Sequence, residues 1–486
     1  MYRRSALLRP LKSLSSYRVS QAGVRFISSK PNTSYLEPTH STATVPPAQE
    51  EIINLAEKYI LPVYARPKDI VISHGDGSYM YSLAGNKYLD FSAGIAVNAL
   101  GHGDKAFLEE LNRLAGEIIH ASNVYQNKWV YLCYVYAARL GELLVELTKK
   151  EGGLGFAPGS TGTVDGSGAK VFFSNTGTEA NEGALKIARM AGKHLWAQKT
   201  GQAWDAPDAA CSKTRIVCFK HGFHGRSMGA LSVTTNAKYQ APFEPLLPGV
   251  DVGSVNEVEG LERLITDDTC AVIIEPIQGE GGVHESHVDW LRALKKRCDE
   301  TGAVLIFDEI QCGLYRTGDL WAHSSYPVDC HPDIVTMAKP LANGYPIGAV
   351  VMRDRIAQYM TAGTHGTTFG GSPLACGLGL HVLTRLSSAA FVKDVHETGT
   401  YLNERLQQLP GWFPSVVKEI RGRGLIRGIG MRDGAAAGAL VSLARERGVL
   451  LLTAGSDAVR LVPSLNVGRT EVDLALDVIE SCMHKL

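Results

Sequence analysis

Ala303-Val304-Leu305-Ile306-Phe307-Asp308-Glu309 is the stretch whose reading decides the fold. Five apolar residues in succession lack the alternation of a half-exposed strand and are too few for a helix. They read as a strand buried on both faces, the pattern of a parallel sheet covered by helices on either side. Asp308 and Glu309 fall at its carboxyl end, where open α/β sheets place their ligand sites. A second short apolar strand, Ile334-Val335, runs into Met337-Ala338-Lys339-Pro340. A carboxylate ending one strand and a lysine ending the next would face one crevice. A strand ending in Asp-Glu also resembles the magnesium-binding strand of a P-loop ATPase, but that reading needs a G-x-x-x-x-G-K-[ST] loop. The chain has none, and Gly166-Ser167-Gly168-Ala169-Lys170 has the wrong spacing.

The same pattern repeats outward from this stretch. Strands at 170–173, 215–219, 271–275, 303–307, 334–337 and 348–352 alternate with helical segments. After Thr178, the residues Ala184, Ile187, Ala188 and Ala191 share one helical face, and before Ala303 the residues Val288, Leu291, Leu294 and Cys298 do the same. Strands alternating with helices imply a mostly parallel, doubly wound α/β sheet. From about 379 onward, long helices precede a smaller unit, with strands or helices at 420–431, 435–447, 449–453 and 459–462 and a last helix at 470–485. This reads as a second, smaller α/β domain. Nearer the start, a helix is expected from about Ala48 to Pro62, then short antiparallel strands at 79–82 and 88–91. Residues 151–168, with seven glycines, read as a flexible surface loop. The expected division is 31–110 as an N-terminal segment contributing to the small domain, 111–378 as the large cofactor-binding domain and 379–486 as the C-terminal small domain.

Composition narrows the function classes. A chain of 486 residues is too long for one core. Its 49 basic and 49 acidic residues give no electrostatic reason to expect nucleic-acid binding. No apolar run approaches the ~20 residues of a membrane span, so no membrane partner is expected. Nine cysteines without a C-x-x-C pair suggest reduced thiols. Residues 1–30 hold Arg3, Arg4, Arg9, Lys12, Arg18, Arg25 and Lys30 and seven serines, and the first acid of the chain is Glu37. That is the composition expected of a mitochondrial transit peptide, with a candidate processing site at Arg25-Phe26-Ile27-Ser28, and it implies the mitochondrial matrix, the alternative being a merely disordered basic tail. Residues 31–47, with four prolines, read as a disordered lead-in.

Ser174-Asn175-Thr176-Gly177-Thr178-Glu179-Ala180-Asn181 follows the strand Val171-Phe172-Phe173 and opens a helix. Free N–H groups at a helix start, with glycine permitting close approach, make a phosphate site, although Thr176 or Thr178 with Glu179 also suits a plain helix cap. Joined with Asp308 and Lys339, the phosphate reading prevails. A lysine that carries an aldehyde cofactor, a carboxylate facing a ring nitrogen and a phosphate cradle are the parts that pyridoxal 5'-phosphate requires. His221-Gly222-Phe223-His224-Gly225-Arg226-Ser227 follows the next strand. Its histidines have no third ligand at recognisable spacing, nor does His284-Glu285-Ser286-His287 have the spacing of a zinc helix, so no metal site is expected. Phe223 between glycines suits stacking on a flat ring, and Arg226 suits a substrate carboxylate.

These motifs, together with Glu275-Pro276-Ile277-Gln278-Gly279-Glu280-Gly281-Gly282, Phe307 through Gly313, Arg316-Thr317-Gly318 and His365 through Gly371, closely resemble the class III (ω-amino acid) pyridoxal-phosphate aminotransferases. The resemblance runs from about residue 60 to the C-terminus. It implies the type I pyridoxal-phosphate enzyme fold and a homodimer with shared active sites. It also implies that Lys339 carries the cofactor, Asp308 pairs with the pyridine nitrogen, Gln311 contacts the ring hydroxyl and Phe223 stacks on the ring. Gly177 and Thr178 would hold the phosphate, and Thr368 would reach the phosphate of the neighbouring subunit. Arg460 resembles the arginine that binds the α-carboxylate of glutamate, Glu280 the acid that masks it, and Arg226 is the candidate for the carboxylate of the other substrate.

Within the family, Gly94-Ile95-Ala96-Val97, Ser122-Asn123-Val124-Tyr125 and Ala454-Gly455 through Arg460 to Pro463-Ser464-Leu465 look like the versions found in enzymes acting on N-acetylornithine, with 2-oxoglutarate and glutamate as the second pair of small-molecule substrates. Enzymes acting on ornithine have, as a family, a tyrosine where this chain has Ile95. That rival, a 4-aminobutyrate-type enzyme, and a non-catalytic binding protein of the same fold remain the alternatives. The segments 151–168 and 196–213 are longer than in compact bacterial members.

Overall fold

Seven strands build the central sheet, in the spatial order Ala169–Ser174, Gly348–Arg353, Ile334–Met337, Val304–Asp308, Thr269–Ile274, Arg215–Phe219, Val250–Gly253. They belong to a computed structural model that describes residues 30–40, 46–67, 70–123, 131–163, 165–207 and 210–486, with only the backbone at 131–134. Residues 1–29, nearly all of the expected transit peptide with its expected processing site, and Val124 and Tyr125 lie outside the described residues. Gly348–Arg353 runs antiparallel to both its neighbours, and every other pairing in the sheet is parallel.

The sheet is buried on both faces because its residues alternate between two cores. Ile216 and Cys218 pack with Ile273, Ile306 and the Ala184–Ala191 face of the helix Gly177–Thr200. Val217 and Phe219 pack on the opposite side with Ile274, Phe307 and the Trp290, Leu291 and Leu294 face of the helix Val288–Thr301. The edge strand Val250–Gly253 has no counterpart among the expected strands. It is four residues long, reads Val-Asp-Val-Gly and is only partly buried, so it lacks the continuous apolar run of the inner strands.

Two smaller sheets flank this one. Val417–Arg423, Ile426–Met431, Ala458–Leu461 and Leu452–Ala454 form an antiparallel four-stranded sheet that carries Arg460. The element expected at 420–431 is a hairpin folded at Gly424, whose φ is +57°. Ile72–Asp76, Tyr79–Ser82 and Lys87–Asp90 make a third sheet, which Val449–Leu450 completes by running parallel to Lys87–Asp90.

The expectation of a flexible surface loop at 151–168 is corrected for its first part. Leu154 and Phe156 are fully buried. Leu154 N–H donates to His323 Nε2 at 2.9 Å, Gly155 N–H donates to His331 Nδ1 at 3.2 Å, and Arg353 Nε donates to Leu154 O at 2.9 Å. A Cβ on Gly155 would stand 2.3 Å from the Arg353 guanidinium, and its φ is +86°. The glycines here serve close backbone approach, not flexibility.

Candidate active site

The strand pairing sets Asp308 opposite Thr336, so the residues that follow both strands meet at one end of the sheet. Asp308 is 3% exposed and three donors converge on it. Asn181 Nδ2 and His224 Nδ1 reach its Oδ2 at 2.7 and 2.8 Å, and Ile310 N–H reaches Oδ1 at 3.0 Å. Since the carboxylate accepts, His224 carries its proton on Nδ1. Asn181 is fixed in turn, because its Oδ1 accepts from Thr336 Oγ1 at 2.8 Å and its Nδ2 also donates to His224 O at 2.7 Å. The carboxylate thus has a set orientation before any ligand arrives.

Lys339 opens a short 3-10 turn, Lys339–Ala342, two residues beyond the strand Ile334–Met337. Among the described residues its amine has neither a hydrogen bond nor an ion pair. Burial first, and then the charge of Arg460, bring its pKa down to about 8. An amine that is easily neutral, unpaired and directed at a cavity is suited to attack a carbonyl.

That cavity has a volume of about 480 Å³, and Asp308, Lys339, Gly177, Thr178, Phe223 and Gln311 are among its lining residues. Arg226 lines it as well. At its far side the helix Gly177–Thr200 begins. Thr176 caps it by accepting Glu179 N–H at 3.2 Å, and Glu179 Oε2 reaches back to Asn175 N–H at 2.9 Å, so the cap expected as an alternative is present. The N–H groups of Gly177 and Thr178 have no acceptor among the described residues, and the helix dipole adds to their pull on an anion. Cap and anion site coexist. Gly225 (φ +136°) must lack a side chain, since a Cβ there would lie 2.2 Å from Thr178 Oγ1.

Glu275 is buried beside this group, and its carboxyl accepts Phe223 N–H at 2.8 Å and Gly279 N–H at 3.0 Å. Desolvation pushes its pKa up to about 7, with the charge of Asp308 adding to the rise and His224 opposing it. Arg460, 4% exposed, donates from Nη1 to Gln311 Oε1 at 2.8 Å, which leaves the Gln311 amide N–H₂ for the cavity.

Two expected partners are not in contact. Glu280 makes no ion pair with Arg460; its carboxylate accepts the hydroxyl of Tyr239 at 2.8 Å. The Arg226 guanidinium lies 3.6 Å above the Tyr239 ring. Thr368 stands exposed outside the cavity lining, next to Thr367, whose hydroxyl accepts from Asn175 Nδ2 at 2.9 Å. Asn181, Glu275 and Tyr239 carry no role in the sequence-based expectations, and His224 only that of a candidate metal ligand. The chain order of Asn181 in the Ser174–Asn181 motif and of His224 beside Phe223 was the available signal.

Pyridoxal 5'-phosphate fits these residues. An unpaired, partly buried amine, an oriented buried carboxylate and free N–H groups at a helix start match the cofactor's aldehyde, ring nitrogen and phosphate in chemistry.

Comparison with known proteins agrees. The model of the family described as aminotransferase class-III matches residues 61–483. The chain is 43% identical over 442 residues to the acetylornithine aminotransferase, mitochondrial, of Neurospora crassa, covering 91% of this chain and 89% of that protein. It is 44% identical over 433 residues to the protein of the same description in Yarrowia lipolytica, covering 89% and 96%. Among solved structures, an ornithine aminotransferase from Toxoplasma gondii, described with partial occupancy of PLP at its active site, superposes with a TM-score of 0.76 at 30% identity, covering 90% of this chain and 94% of that one.

Proposed function

The chain belongs to the class-III aminotransferases, and we propose that within the family it moves the δ-amino group of N2-acetyl-L-ornithine to 2-oxoglutarate. The products are N-acetyl-L-glutamate 5-semialdehyde and L-glutamate, a step of L-arginine biosynthesis. It is a pyridoxal-phosphate-dependent transaminase acting on small molecules, with the α/β type I fold of that enzyme class. The observation that carries the substrate reading is the identity of 43–44% across nine-tenths of the chain to enzymes named for acetylornithine, against 30% to the ornithine enzyme. Ile95, 45% exposed and two residues from the cavity-lining Val97, supports it as an apolar neighbour for an acylated substrate. Steady-state rates with N-acetylornithine, ornithine and 4-aminobutyrate side by side test it; a preference for either of the last two rejects it.

Pyridoxal phosphate, when bound, supplies an aldehyde that takes up the amine and a ring that accepts the electron pair of the breaking C–H bond. The residues divide the remaining work. Lys339 would hold the aldehyde and, as a neutral amine, would take up the proton lost from the substrate carbon. Asp308, oriented by His224 and Asn181, faces the ring nitrogen. Gly177 and Thr178 would hold the phosphate, Phe223 would stack on the ring and Gln311 would offer its N–H₂ to the ring hydroxyl. Arg460 takes the α-carboxylate of glutamate, Glu280 neutralises Arg460 when the other substrate is present, and Arg226 then binds that substrate's carboxylate.

The protein is mitochondrial, as its relatives are named, and the acid-free N-terminus supports the matrix. A homodimer with shared sites, with Thr368 reaching the partner's phosphate, is supported by apolar residues left exposed near the cavity: Phe369 at 60% and Met228 at 57%. A division into 31–110 with 379–486 as the small domain, and 111–378 as the large, is supported by the pairing of Leu89 with Val449.

A further inference from the structure

We propose that Tyr239 is a positioning residue for substrate choice, holding Glu280 off Arg460 with its hydroxyl while its ring seats Arg226. The proposal rests on the substrate reading above and adds to it the residue that links the two carboxylate sites.

Tyr239 lies in the four-residue helix Ala237–Gln240, which Asn236 caps by accepting Lys238 N–H at 3.1 Å. The neighbouring Gln240 ties this helix to the one before it, donating to Leu231 O at 3.1 Å. The ring is therefore held on a fixed base. From there the phenol donates to Glu280 Oε1 at 2.8 Å, Arg226 covers one ring face at 3.6 Å, and Phe223 meets the ring edge-on at 6.1 Å between centroids. Phe223 lines the cavity, so Tyr239 stands one ring behind it. Burial, and then the carboxylate beside it, push the phenol pKa upward, so it remains the donor.

Arg460 feels the charge of Glu280 but makes no ion pair, and its Nε has no partner. Glu280 therefore has two competing destinations. With the Tyr239 bond made, Arg460 is open to an α-carboxylate; with it broken, Glu280 is free to neutralise Arg460. A cation over the ring strengthens the phenol as a donor. A substrate carboxylate that draws Arg226 off the ring thus loosens the hold on Glu280. Two carboxylate sites are coupled through a single side chain, with differential contacts in each state.

Tyr239→Phe keeps the ring and removes the hydroxyl. In single-turnover measurements on the cofactor-loaded enzyme, the glutamate concentration giving half the limiting rate is expected to rise about tenfold, the scale of one hydrogen bond to a charged group, while the limiting rate changes far less. The corresponding value for N-acetylornithine is expected to stay or fall. Adding Glu280→Ala should restore the glutamate value, since no carboxylate is left to occupy Arg460. Equal weakening of both substrates in Tyr239→Phe, or no rescue by Glu280→Ala, overturns the proposal. A wild-type enzyme that turns over ornithine or 4-aminobutyrate in place of N-acetylornithine overturns the substrate reading alone, because the glutamate arm reports on Tyr239 by itself.

Discussion

Asp308 and His224 meet at 2.8 Å, Oδ2 to Nδ1, with both side chains buried. The imidazole N–H holds the carboxylate in a fixed direction, so the group we propose to face the cofactor nitrogen is oriented before binding. Asp308→Asn keeps the shape and removes the charge. Turnover is expected to fall on the order of a thousandfold, the scale for removing one preorganised electrostatic contact, while the cofactor's visible absorbance shows it still bound. Near-normal turnover would mean that another acid serves the nitrogen.

Lys339→Ala is expected to abolish transamination and leave the fold intact. The partly buried amine, with its lowered pKa, also predicts a pH effect in the cofactor-free protein. With a folded pKa of about 8 against 10.5 unfolded, the unfolded chain binds more protons between those values. Stability should therefore rise with pH from about 8 to 10.5, by roughly 1–3 kcal/mol. Lys339→Met should remove that rise. Denaturant titrations of both proteins without cofactor at pH 7.5, 9 and 10.5 measure it.

His323 and His331 predict the opposite end of the range. Burial lowers both to about 3 from 6.5, and each accepts a backbone N–H from the 152–156 segment. Between pH 6.5 and 3 the unfolded chain binds the extra protons, so stability falls as pH drops, by up to about 1.4 kcal/mol per pH unit for each histidine. His323→Gln, neutral throughout, should lessen the slope in equilibrium unfolding between pH 6.5 and 4.5.

Arg460 donates to Gln311, so its loss touches both the proposed substrate contact and the amide facing the cavity. Arg460→Ala should slow the glutamate and 2-oxoglutarate half on the order of a hundredfold more than the acetylornithine half. Glu280→Ala should speed the half with glutamate and slow the half with N-acetylornithine. Single-turnover spectra of each half separate these outcomes, and equal losses in both halves for both variants would reject the exchange of partners.

Removal of residues 1–27 is expected to leave activity in vitro unchanged and to keep the enzyme out of mitochondria. Fractionation of cells expressing the shortened chain checks this; import would show that the address lies elsewhere.

The central sheet was legible because its inner strands, such as Val304–Asp308, are buried on both faces and read as unbroken apolar runs. Val250–Gly253 was not, since an edge strand bears no such mark. The 151–168 segment misled because glycine serves both flexibility and close approach, and only the neighbouring Arg353 and His323 distinguish them. Asp308 and Lys339 could be paired from strand order. Asn181 contacts Asp308 across 127 positions, and Tyr239 contacts Glu280 across 41, separations at which local pattern carries no information about contact.

The antiparallel strand Gly348–Arg353 has a consequence for when the enzyme comes into being. It lies between the strand that precedes Gly177 and the strand that precedes Lys339, pairing Gly348 with Ser174 and Met337 with Ala349. Until it inserts, the anion-binding turn and the lysine belong to two unconnected parts of the sheet. Its pairing with Ala169–Ser174 closes a loop of more than 170 residues, so that step is expected to follow the local helices in folding. A chain still leaving the ribosome has no site until residues beyond 353 have emerged. A nascent chain that ends before residue 353 is therefore expected to capture no cofactor and to perform no reaction.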